Sequence, residues 1–416
     1  MIEFPLLKIL APLYTLCQIF GTAPVYYENH RATYSKFGIL QSIIYISGFL
    51  TLTVIFFENH TNQVPEEFLK IKTISFVVIF RTVANVAVVA IIYIMLFLCT
   101  GKFFDQVTKI KELENHFEKL DVNNTNPKSN KEIQRSFVFL WVVIHLVFGI
   151  CGGIIPGLLK RNDKASVEEF FGVYVVTVYP RMVISNVNLA FYMTLLVLQA
   201  RFRIINSNIL AKIEDSKRVR KYPTKIDFCE SVRHIVDLHK TLVKIGREVN
   251  SIFSVHLLVW IAVTFVLLVG DLYVTTYIFF FQLPETHILI IVNLFRNVLM
   301  YAFELFILAK YTTDLCEEAN STKRLLVRIK IDIDKEDERN AIIVGALKLG
   351  QNTLEITACK FFNIDNALLF SICGAASSYL FIMVQLDMGN RNNTEPTDTT
   401  SMTTITDYTP TTIDIN

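Results

Sequence analysis

Seven blocks of about twenty mostly apolar residues recur along this chain, each as long as a helix must be to cross a bilayer core of about 30 Å. They fall at 37–57, 73–98, 137–159, 170–199, 252–281, 286–309 and 364–386. A chain of 416 residues with 52% hydrophobic and 19% charged residues is too apolar for an ordinary soluble domain. The blocks predict an all-α membrane protein with seven transmembrane helices. Residues 4–27, broken by Pro5, Pro12, Gly21 and Pro24, read as interfacial or packed against the bundle rather than as an eighth crossing. This start lacks the charged residues and small-residue cleavage site of a signal peptide, so the first span is expected to insert uncleaved.

The basic residues set the orientation. With the N-terminus inside, the segments 1–36, 99–136, 200–251 and 310–363 hold 31 of the 40 Lys and Arg, the outer segments hold 6, and 3 lie within spans. Positive charge concentrates on the cytoplasmic side of short loops, so the N-terminus is predicted cytoplasmic and the C-terminus extracellular. Glycosylation sequons at Asn59 and Asn392 fall outside under this scheme, although Asn123 and Asn320 carry the same pattern on the inner side. The Thr-rich stretch 388–416 reads as a disordered extracellular tail.

Apolar periodicity continues beyond the membrane. Val232, Ile235, Val236, Leu242, Val243, Ile245 and Val249 repeat at helical spacing and run into the fifth span without a break. A helix over 228–281 would be about 80 Å long, so its inner third must stand in the cytoplasm. Residues 341–362 form a second amphipathic candidate, with Ile343, Leu347, Leu354, Phe361 and Phe362 on its apolar side. These long cytoplasmic helical extensions are expected to pack into a base. The expected division is thus 1–36 cytoplasmic or interfacial, 37–309 six helices with the ligand-pocket region, 310–363 cytoplasmic anchor helices, 364–387 the seventh helix and 388–416 the tail.

The motifs exclude several chemistries. There is no phosphate-cradling Gly loop, His-Glu-x-x-His or nucleophile elbow, so no catalytic residue and no enzyme activity are expected. His234 and His239 are five residues apart and the seven cysteines form no CxxC pair, which argues against a metal site, a disulfide framework or a cofactor. A net charge of +2 predicts no nucleic-acid partner. No matched pair of broken spans suggests a transporter.

Ionisable residues inside spans usually face a cavity or a partner. Arg81, Arg181, Arg296 and Asp271 all fall roughly 12–17 Å below the outer surface at 1.5 Å per residue. Tyr273 and Tyr277 follow Asp271, and Tyr179 and Asn293 lie at similar depth. One reading is a small-molecule pocket open to the outside; the other is a salt bridge that fixes helix packing. Three arginines against one carboxylate favour the pocket. The last span carries a small or polar stripe, Ser371, Gly374, Ala375, Ser378, Ile382 and Gln385, suited either to close packing or to the wall of an aqueous path.

The end of the chain resembles a known family. Ser378-Tyr379, five apolar residues, then Gln385-Leu386 is similar to the last-span pattern of insect gustatory receptors, Thr-Tyr, five mostly apolar residues, Gln-Phe. Phe361-Phe362-Asn363-Ile364-Asp365, Leu368-Leu369-Phe370 and the N-terminal Phe20-Gly21-Thr22-Ala23-Pro24 also look like that family. The chain departs from it with Ser378 for Thr and Leu386 for Phe. The resemblance implies a taste receptor of the plasma membrane of sensory neurons that is a ligand-gated, non-selective cation channel. It implies four subunits around a central pore, a homotetramer or a heteromer with related receptors. Its partners would be a small-molecule tastant, permeating cations and the lipid bilayer. The last span would line the pore, with Ser378, Tyr379, Ile382, Gln385 and Leu386 at the pore or gate and Asp387 forming a ring of carboxylates at the outer mouth. Ser371, Gly374 and Ala375 would be the packed inner part. Ligands would bind in the outer half of spans two to six. The absent Thr and Phe tip the ligand toward a bitter or plant compound. A sugar-responsive gustatory receptor and an odorant receptor subunit are the alternatives. A receptor coupled to a G protein would need the opposite orientation.

Overall fold

The computed structural model describes residues 25–28, 31–34, 36–60, 72–113, 117, 136–145, 147, 178–218, 225–280, 288–329 and 335–392. A hairpin of β1 (Val25–Glu28) and β2 (Arg31–Tyr34) leads into α1 (Lys36–His60). There follow α2 (Lys72–Glu112), the short α3 (Ser136–His145), α4 (Tyr179–Arg218), α5 (Lys225–Phe280) and α6 (Ile288–Val327). The chain then forms α7 (Glu336–Gln351), a small hairpin of β3 (Thr357–Ala358) and β4 (Phe362–Asn363), and α8 (Asn366–Asn392). Among the described residues six helices are long and apolar enough to cross a membrane, and α3 lies in the third apolar block. The N-terminal Gly21 and Pro24, the outer part of the third block and the tail beyond 392 lie outside the described residues.

α4 is the axis of the bundle. Of its most apolar stretch 83% is buried, against 11% for α1 and α8, so those two stand at the periphery. α4 packs on α6 and α2, while α5 lies against α2 and α6. Val183, Val187, Leu189, Phe191, Tyr192 and Leu198 of α4 are covered on all sides, as a helix ringed by neighbours must be.

α5, at 56 residues, is about 84 Å long. All seven apolar residues of its inner stripe, Val232 to Val249, are buried. They share one core with Leu315, Ala319 and Leu326 of α6 and Ile342, Ala346 and Leu349 of α7. Close packing is needed here: a Cβ on Gly345 would meet Leu326 and Val236 at 3.1 and 3.2 Å. The base is dry. Burial pushes the Cys316 thiol up to about 11, and burial lowers His239, whose Nε2 lies 2.9 Å from the Ala319 carbonyl.

The second amphipathic segment differs from expectation. α7 ends at Gln351 rather than continuing to 362, and its covered face is Ile342, Gly345, Ala346 and Leu349. Ile343 and Leu347, one residue (about 100°) further round, are exposed, as is Phe361. The helix stops because side chains from neighbouring helices take over the backbone of 353–357. Asn320 donates to the Leu354 carbonyl at 3.1 Å and accepts from its N–H at 3.0 Å, while Asn250 accepts from the Thr357 N–H at 3.2 Å. Arg247 donates to the Thr353 carbonyl at 2.7 Å. The β3–β4 turn closes with the Phe361 N–H on the Ala358 carbonyl, with Cys359 and Lys360 at positive φ of 49° and 63°. Replacing Asn320 with alanine would strip both hydrogen bonds from Leu354. A loss of about 1–3 kcal/mol is expected, read as a lowered thermal midpoint of the purified protein in detergent. An unchanged midpoint would mean that water replaces the asparagine at no cost.

Candidate functional site

The sequence-predicted polar residues of the outer half do not form one cluster. Arg81 of α2 and Asp271 of α5 meet in an ion pair through Nη2 and Oδ1. Arg181, near the start of α4, lies with its guanidinium 4.7 Å above the Tyr301 ring and its Nη2 3.7 Å from Glu304 Oε1, both on α6. Asp271 is within electrostatic reach of Arg81, Arg181 and Arg296, so the arginines converge on one region. Arg296 donates to its neighbour Asn297 at 2.8 Å, and the Asn293 Oδ1 is buried without a hydrogen-bond partner. The Tyr179 hydroxyl meets that of Tyr93 at 2.8 Å.

Tyr273 and Tyr277 go elsewhere. They pack with Val77, Val274, Ile278 and Leu294 in a separate cluster, against which Leu380, Met383 and Val384 of α8 lie. The reason is helical: Tyr273 is about 200° round α5 from Asp271, so the two point to different neighbours.

Several residues at this site were not singled out from the sequence. Glu304 is a second carboxylate, 3% exposed. His145 of α3 touches it, Nε2 to Oε1 at 3.0 Å, and places Nδ1 2.9 Å from the Trp141 carbonyl. The Trp141 ring lies against His145, Tyr192 and Phe303, and its Nε1 donates to Ser185 Oγ at 2.9 Å. The rule that flagged Arg296, an ionisable residue within an apolar block, applies equally to Glu304 and His145. Trp141, Tyr301 and Tyr93 carry no such signal, because aromatics are ordinary in spans.

Both neighbours of the His145 ring are oxygen acceptors. Glu304 Oε1 therefore lies between two nitrogens, His145 Nε2 at 3.0 Å and Arg181 Nη2 at 3.7 Å.

The last helix presents a second candidate surface. Ile372 and Ala376 are buried, and α8 packs on α5 and α6. Ser378, Tyr379, Ile382, Gln385 and Leu386 are exposed on the helix, Ile382 by 48% and Leu386 by 64%. Ser371 and Gly374, read from the sequence as packed, are exposed as well, and a Cβ on Gly374 would meet nothing within 4 Å. Within this chain the close packing belongs to Ile372 and Ala376 instead, one helical face away. Ser371 and Ser378 turn their hydroxyls back onto carbonyls four residues earlier, at 3.0 Å in each case, which keeps them tolerable in an apolar surrounding. Tyr379 also touches the Phe265 ring of α5, centroid to centroid 6.0 Å. Asp387 and Asn392 lie on α8 and Asn59 on α1, their side chains outside the described set.

Known proteins resemble this architecture. A family model described as 7tm Chemosensory receptor matches residues 10–390. The Drosophila melanogaster gustatory receptor for bitter taste 66a is 25% identical over 181 residues, a stretch covering 41% of this chain and 33% of that receptor. The match thus spans about one third of that relative's length. The insect olfactory receptor OR5 from Machilis hrabei superimposes with a TM-score of 0.63 at 14% identity, covering 91% of this chain and 98% of that one. Its complex with eugenol gives 0.62 at 14% identity, with 92% and 98% covered. At that identity the likeness is one of fold, and the expected all-α membrane architecture is borne out.

Proposed function

Because this chain belongs to the 7tm chemosensory receptor family, we propose that it is a gustatory receptor working as a ligand-gated, non-selective cation channel. The observation that carries the channel reading is the uncovered stripe Ser378, Ile382 and Gln385 on α8. Polar groups facing lipid are costly, and the fold leaves this stripe on the side of α8 away from α5 and α6. Four copies about one axis turn the four stripes toward a shared aqueous path, with Asp387 at its outer mouth. The N-terminus is then cytoplasmic, the dry base of α5, α6 and α7 is the anchor, and 388–416 is the outer tail carrying Asn392. Assembly with a related receptor in place of identical copies gives the same path.

The ligand enters from outside at the level of Arg81, Asp271, Arg181 and Arg296; Asn293 lies one helical turn from Arg296 on α6, while Tyr179 turns its hydroxyl to Tyr93. The bitter-taste relative supports a bitter or plant compound. α5 links site to pore: it holds Asp271 on one face, Tyr273 and Tyr277 against α8 on another, and Phe265 against Tyr379.

The test is current. Oocytes expressing the chain should pass cations in response to at least one member of a panel of bitter compounds and sugars. In Ser378→Cys, a charged thiol reagent added to the bath during activation should block that current. A ligand-evoked current untouched by the reagent removes Ser378 from the pore.

A further inference from the structure

Between α1 and α2 lies an apolar groove of about 260 Å³, lined by none of the residues assigned above to ligand or pore. We infer that it holds an acyl chain of an anionic phospholipid of the cytoplasmic leaflet, whose headgroup meets Lys36 and Lys102. Ile39, Ile43 and Ile46 of α1 line it together with Ile94, Phe97 and Leu98 of α2. Its two hydroxyls are already engaged: Ser42 donates to the Gly38 carbonyl at 2.9 Å, and Tyr93 meets Tyr179 at 2.8 Å. Such a lining suits a hydrocarbon chain and not a polar solute, which would lose its hydrogen bonds to water there. Ile43, Ile94 and Leu98 are 55%, 58% and 65% exposed, so the groove opens sideways, toward lipid.

Charge at one end of the groove selects the lipid. Lys36, Ile39, Ile43 and Ile46 follow one another at intervals of three and four residues, so Lys36 stands on the groove face of α1, one turn before its first apolar residue. On α2, Lys102 comes one turn after Leu98. Both lysines are exposed, and neither has an ion-pair partner among the described residues. Asp105 lies almost one further turn along α2. The first turn of α1 carries no acidic residue, so the positive end of its dipole adds to the same side. A lipid chain in the groove thus brings its phosphate to a cationic rim. With the cytoplasmic N-terminus proposed above, this rim faces the leaflet that holds the anionic lipids.

Native mass spectrometry of the purified full-length receptor in detergent, titrated with phosphatidylserine or with phosphatidylcholine of the same chains, counts the lipid held. One phosphatidylserine per chain should bind roughly tenfold to thirtyfold more tightly than phosphatidylcholine, each lysine supplying roughly fivefold. Replacing both lysines, as Lys36→Gln with Lys102→Gln, touches only exposed side chains and should bring the two lipids to within about twofold of one another. Ile43→Trp fills the groove and should remove that one lipid. Val83→Trp is the control: Val83 is also exposed on α2, by 58%, but does not line the groove, and its lipid count should stay unchanged. Equal affinity of the two lipids for the unmodified chain, a preference that survives the double lysine variant, or a full lipid count in Ile43→Trp would overturn the inference. Binding in detergent involves no leaflet, so a reversed orientation of the chain would leave these counts unchanged.

Discussion

Ile382→Ala is expected to give a receptor that conducts without ligand. Ile382 lies on the exposed stripe of α8 one turn inward of Gln385, and an apolar ring of four such side chains closes a path by excluding water. Each substitution removes roughly three methylene-sized groups, at about 0.8 kcal/mol each. If only about 1.4 kcal/mol of the combined loss bears on closure, the resting open fraction rises roughly tenfold. Resting cation current per receptor at the oocyte surface is the measurement. Cys373→Ala is the control: Cys373 is exposed but lies about 180° round α8 from Ile382, so its resting current should stay at the unmodified level. A tightly closed Ile382→Ala receptor would return the stripe to a packing role.

The second large effect concerns Arg81 and Asp271. Removing either alone leaves its partner as an uncompensated charge in an apolar bundle, at a cost of about 3–5 kcal/mol. That is a large share of the roughly 5–15 kcal/mol that holds a typical fold, so Arg81→Ala and Asp271→Ala should each reach the surface poorly. Replacing the pair together, as Arg81→Met with Asp271→Leu, removes both charges and should restore most of the surface expression. The double variant then separates the two readings of the pair. A ligand site built on it predicts a dose–response curve shifted by about tenfold or more, equivalent to at least one charge-assisted hydrogen bond. An unshifted curve at normal expression would make the pair structural only.

In the sequence, three arginines stand against one carboxylate, Asp271, in the outer half of the spans. Finding Glu304 alters that balance, because Arg181 Nη2 lies 3.7 Å from it and two of the three arginines thus have a carboxylate partner. Arg81, with its buried partner, is as much a packing element as a ligand contact. Arg181 differs, with a looser contact to its carboxylate and two buried nitrogens that lack hydrogen-bond partners. This distinction was illegible beforehand, since Arg81 and Asp271 are separated by 190 residues, and depth in the membrane says nothing of which way a helix is turned. Tyr273 and Tyr277 make the same point: right in depth, they face α8.

What the sequence determined by itself was local. Block length set the helical crossings, and each of the seven residues that 3.6-residue periodicity marked on α5 between Val232 and Val249 is buried, because hydropathy and helical spacing are properties of neighbouring residues. What the tertiary structure decided was which neighbour covers each face. Asn320 and Asn250 end the α7 region as a docked connector by reaching its backbone from other helices, and the covered side of α7 is Ile342 and Ala346 rather than Ile343 and Leu347. On α8 the small residues Ser371 and Gly374 are left open while Ile372 and Ala376 pack. A period of 3.6 fixes that a helix has faces. Only its rotation against the others, set by contacts far apart in the chain, fixes which face holds the fold together and which is left for a ligand, an ion or another copy.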